Sequence, residues 1–102
     1  MKLLIATCIK EDLKPVTGIF HDAQIPVFSV TETIGHKSGH ADYLLNDWFA
    51  HSEGETNALL FFSFTDDAKA NSGLELVRKY NLEHPGNFPV RAFTLPVESS
   101  SY

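Results

Sequence analysis

From Leu3 to Ile9 the chain is apolar almost without a break, bounded by Lys2 and Lys10. In an extended strand Leu3, Ile5, Thr7 and Ile9 point one way and Leu4, Ala6 and Cys8 the other, so both faces need cover. A helix follows, with Asp12 placed to cap it, Pro15 tolerated in the first turn, and Leu13, Val16, Phe20 and Ala23 recurring along one stripe. Gly18 weakens it slightly, and Gln24-Ile25-Pro26 ends it, because the residue before a proline avoids the helical region. Val27 to Ile34 is β-branched and alternating, with Phe28, Val30, Glu32 and Ile34 on one side and Ser29, Thr31 and Thr33 on the other.

Ala58 to Phe64 is a second strand that is apolar on both faces. Asp66 is placed to cap a second helix, whose stripe is Ala70, Leu74, Val77 and Tyr80, with Asn81 near its end. His84-Pro85-Gly86-Asn87 is a turn by composition, Pro89 to Val97 a last strand, and Glu98 to Tyr102 a polar tail.

The order is therefore βαβ, a long connection, βαβ. This is the α+β, ferredoxin-like βαββαβ plan, with an antiparallel sheet and both helices on one face. It accounts for residues 1–102 as one domain, with no repeat and no linker. Helices can bury only one face of Leu3–Ile9 and Ala58–Phe64. Whichever parity faces outward, Leu59 and Phe61 or Leu60, Phe62 and Phe64, the open face is apolar. Soluble monomers avoid so large a patch, so the pattern predicts that further copies of the chain cover it.

Composition narrows the partners. A net charge of −5, a pI near 5.4 and the lack of any Lys/Arg cluster argue against nucleic acid and anionic membrane surfaces. A single cysteine excludes an intrachain disulfide. The start, Met-Lys-Leu-Leu-Ile-Ala-Thr-Cys, has too short an apolar run for a signal sequence and Thr7 where a lipoprotein site needs a small residue, so it reads as a strand of a cytoplasmic protein. No run is long enough to insert in a membrane.

The connection Gly35 to Asn57 is 23 residues long, where adjacent strands need only a few. It holds three of the five histidines and the sole tryptophan. His36, His40, Asp42 and His51 offer imidazole and carboxylate ligands suited to a transition-metal ion, although Ser38-Gly39 argues against the helix that would align His36 with His40. Solvated loop histidines are the plain alternative. Tyr43, Leu44, Leu45, Trp48 and Phe49 form an apolar centre that either anchors a partner or folds back on its own assembly. Gly35, Gly39 and Gly54 leave the ends of the connection soft, which predicts a segment that moves when free and orders on a partner. Cys8, mid-strand in an apolar run, reads as a core residue, and His21 as an exposed residue near the end of the first helix.

Element order, length, the place of the long loop and the pair Trp48-Phe49 before a Phe-rich strand together resemble the PII-like superfamily of small regulators. The resemblance spans essentially the whole chain. It implies a homotrimer with its sheets facing inward, and a long loop (the T-loop) that answers a small ligand in the clefts between subunits. That loop then acts on a partner such as a membrane transporter or efflux component. Gly35 to Asn57 takes the T-loop's place and His84 to Phe88 that of the B-loop, so Gly35, Gly86 and Arg91 become candidates for the cleft. Nucleotide-binding members have a glycine-rich B-loop with a phosphate-binding lysine. This one has one glycine and no lysine, so ATP of the usual PII type is not expected. No catalytic constellation has a recognisable spacing. The alternatives are a small ferredoxin-like enzyme of the cofactor-free monooxygenase type, or a metal-binding tolerance protein.

Overall fold

In the computed structural model, residues 1–37, 54–86 and 88–101 are described. The elements are β1 (Lys2–Cys8), α1 (Leu13–Asp22), β2 (Ser29–Lys37), β3 (Gly54–Thr65), α2 (Asp67–Glu83) and β4 (Arg91–Pro96), with a 3-10 turn at Lys10–Asp12 before α1. The four strands form one sheet in the order β2-β3-β1-β4 with every neighbour antiparallel. Each βαβ unit thus leaves a gap that the other's central strand fills, which is the ferredoxin-like arrangement.

Strand register decides the parity that the sequence leaves open. Val30, Phe61, Ala6 and Ala92 stand in one row across the sheet, on the side the helices cover. On that side Leu4, Ala6, Cys8, Leu59 and Phe61 are buried against Val16, Ile19, Phe20 and Val77. Phe20, Phe28 and Phe61 form a ring cluster with centroids 4.9 to 5.9 Å apart, within the range of favourable aromatic packing. Ser63, on the same side and paired with Leu4, donates its hydroxyl to the Val27 carbonyl at 2.5 Å and so ties the lead-in to β2 onto the sheet. At Gly73 a Cβ would come within 2.9 Å of Leu4 Cδ2, so α2 lies close on β1 because that position lacks a side chain.

Several boundaries differ from the sequence pattern. Asp12 does not cap α1: its side chain makes no capping bond, and the buried stripe is Val16, Ile19, Phe20 and Ala23, leaving Leu13 exposed. The end of α1 is set by Gln24 in the left-handed region, φ 61°, with Gln24 N–H bonded to the His21 carbonyl and Ile25 N–H to the Phe20 carbonyl. These are the two bonds of a Schellman motif, and Ile25 is buried beside it. Asp66 does cap α2, accepting from the Lys69 N–H at 2.8 Å. β2 and β3 run further than their apolar cores indicate, so that Gly35 pairs with Thr56 and Lys37 with Gly54. The ends of the long connection are therefore ladder, not free chain, and Gly35 is buried.

Candidate functional site

Two regions combine exposure with unusual chemistry. The first is the open face of the sheet. Register places Leu3 and Ile5 of β1, Leu60, Phe62 and Phe64 of β3, and Phe93 and Leu95 of β4 on the side away from the helices. Phe64, Phe93 and Leu95 are 56, 42 and 43% exposed, values at odds with three large apolar groups on one surface unless something covers them. Towards β2 the same face turns polar, with Ser29, Thr31 and Thr33. The apolar patch is thus off-centre, lying on β3, β1 and β4.

The second region is the end of the sheet where β1 stops. Thr31, Leu60, Thr7 and Arg91 form its last four-stranded row; Glu32, Leu59 and Cys8 form a three-stranded row beyond it, and from Thr33 and Ala58 onward β2 and β3 continue alone as a ribbon. The 3-10 turn and the 84–90 turn close the same end. Tyr80 donates its hydroxyl to Asp12 Oδ1 at 2.8 Å, joining the 3-10 turn to α2. The His84 ring stacks on Tyr80 at a centroid distance of 4.4 Å. Asn81 brackets the turn, donating from Nδ2 to the Val90 carbonyl at 2.9 Å and accepting from the Val90 N–H at 3.0 Å. Asn81 reads in the sequence as a helix end; its position ahead of a turn-rich stretch is the only hint of this clamp.

Burial, reinforced by the Asp12 carboxylate, pushes the Cys8 thiol up to about 12. Burial and the hydrogen bond it donates to Asp12 push Tyr80 up to about 12 as well. Neither group is poised for acid–base or nucleophilic work near neutral pH, which fits the reading of Cys8 as a core residue.

His36 is an exposed strand residue of β2, paired with Glu55 in the ladder, so the helical alignment of His36 with His40 does not arise. His40, Asp42 and His51, and the loop centre Tyr43, Leu44, Leu45, Trp48 and Phe49, lie outside the described residues. Among the described residues no three His, Cys, Asp or Glu side chains gather as metal ligands. Gly35 and Arg91 share the open-face parity but sit on opposite edge strands, and the register separates them by about 13 Å along the strands and about 14 Å across. Gly86 is exposed in the turn before β4. The three cleft candidates do not meet within one chain. Among the described residues no helix is long and apolar enough to cross a membrane.

No family model matches the chain, and no curated protein sequence matches it. The fold is similar to the crystal structure of a DUF3240 family protein from Shewanella baltica OS155, with a TM-score of 0.67 over 99% of this chain and 93% of that one. At 14% identity this likeness establishes the shared fold and nothing about activity.

Proposed function

We propose that the chain is a PII-like regulatory protein that assembles as a homotrimer through the open sheet face. It senses a small ligand or metal ion and acts through its long connection, Gly35 to Asn57, on a partner such as a transporter or efflux component. The observation that carries this reading is the apolar face of Leu3, Ile5, Leu60, Phe62, Phe64, Phe93 and Leu95. Burying a large aromatic or aliphatic side chain contributes about 1.5–3 kcal/mol, so seven of them on one face are a driving force for self-association. In this reading Gly35 and Arg91, which lie apart within one chain, face one another across a subunit boundary.

Light scattering at micromolar concentration tests it, with an expected mass three times 11.4 kDa. Phe62→Glu and Phe64→Glu, which place charge on the face, are expected to release monomers that keep their far-ultraviolet dichroism. A monomeric parent protein overturns the proposal; a stable dimer favours the small-enzyme reading instead. Calorimetry with ATP, Zn²⁺, Ni²⁺ and Cu²⁺ addresses the ligand. Tight ATP binding would contradict the reading of His84 to Phe88, and metal binding that survives His36→Ala and His40→Ala would remove those residues from the site.

A further inference from the structure

The β2–β3 ribbon outgrows the helix layer, and on its helix side this leaves a cavity of about 460 Å³ lined by Lys10, Glu32, Thr33, Ile34, Asn57 and Ala58. Its size falls within the range of small-molecule sites. The rim is an ion pair, Lys10 Nζ to Glu32 Oε1 at 2.9 Å, between two side chains that are each half or more exposed. Ile34 and Asn57, paired across the ribbon, stand beside it. Ile34 is 55% exposed, an apolar side chain held in the open next to a balanced pair of charges. Neither half of this arrangement serves the core: the ion pair is too exposed to stabilise the fold by much, and Ile34 is not buried by the helices.

The geometry points to a binding site for a small zwitterion, an α-amino acid with an aliphatic side chain. The charges select it. A simple anion drawn to Lys10 meets the Glu32 carboxylate, and a simple cation drawn to Glu32 meets the Lys10 ammonium. A guest carrying both charges exchanges one ion pair for two charge-assisted ones, with its carboxylate on Lys10 and its ammonium on Glu32. The Asn57 amide, which both donates and accepts, is a further partner for either end. Ile34 supplies the apolar surface for the guest's side chain. Because the cavity lies on the helix side, it does not compete with assembly through the open face and holds with or without that assembly. It sits where Lys10, before α1, meets the β2–β3 ribbon.

L-Leucine is the probe, titrated to about 10 mM and followed by amide shifts in nuclear magnetic resonance, a range that reaches fragment-like affinities. The expected result is saturable binding with shifts centred on Lys10, Glu32, Ile34 and Asn57. N-acetyl-leucine, which lacks the ammonium, and leucine amide, which lacks the carboxylate, are each expected to bind about tenfold more weakly, the scale of one lost charged hydrogen bond. Glu32→Gln and Lys10→Met are expected to do the same, and both positions are exposed enough to leave the fold intact. Absence of saturable shifts, equal binding of the three leucine compounds, or preference for inorganic phosphate over leucine would each overturn the assignment. Light scattering on the same samples reports assembly separately, so failure here is distinguishable from failure of the trimer.

Discussion

Tyr80 and Asp12 lie 68 positions apart in the chain, and their side chains meet at 2.8 Å across the end of the helix layer. The bond joins the 3-10 turn that follows β1 to the last turns of α2. Tyr80→Phe removes it while keeping the ring that stacks on His84. The expected cost is about 1 kcal/mol of stability, since the site is only half-buried and water can replace the lost donor. Urea unfolding of the two proteins measures it. An unchanged midpoint would mean that the brace is idle.

Alkaline pH should weaken the fold in a defined window. Cys8 goes from 9.0 to about 12 and Tyr80 from 10.0 to about 12 on folding. Both groups are neutral when protonated, and folding favours that form. Their contribution is therefore fully present below about 9 and is lost as pH rises towards 12. A melting-temperature series against pH should fall above 9, and less steeply in Cys8→Ala, whatever that variant costs at neutral pH. At pH 8 the native thiol should resist maleimide while the urea-unfolded chain reacts quickly.

Two positions test backbone fit in opposite directions. Gln24 holds φ 61° at the end of α1, a conformation that costs a side chain about 1 kcal/mol, so Gln24→Gly is expected to raise stability by about that amount. A Cβ on Gly73 would meet Leu4 Cδ2 at 2.9 Å, and Leu4 is fully buried. Gly73→Val should lower stability by about 1–3 kcal/mol through overpacking. Thermal melts of both variants give the signs, and a stabilising Gly73→Val would place α2 further from β1 than described.

Asn81 satisfies both backbone groups of Val90, a residue 2% exposed. Asn81→Ala leaves that N–H and carbonyl without side-chain partners, at an expected cost of about 1–2 kcal/mol. Amide exchange of Val90 should rise more than that of the β1 ladder, and a uniform change across the sheet would assign Asn81 a general role instead.

Sequence alone was enough for the element order, the antiparallel ferredoxin-like sheet, the Asp66 cap and the two-sided apolar character of β1 and β3. These follow from side-chain period and from capping within a few residues, and such short-range preferences act before the chain is folded. Tertiary structure decided everything that depends on register. Which of Leu59/Phe61 or Leu60/Phe62/Phe64 faces outward is settled by pairing, because a one-residue slip exchanges the two faces. Asp12 has the composition of a cap, but a carboxylate near Tyr80 has a partner that no local pattern contains. Gly35 and Gly54 look like free loop ends, yet cross-strand bonds carry the ladder through both. The Lys10–Glu32 pair likewise arises only where the 3-10 turn passes over β2, a contact set by how far the ribbon extends beyond the helices.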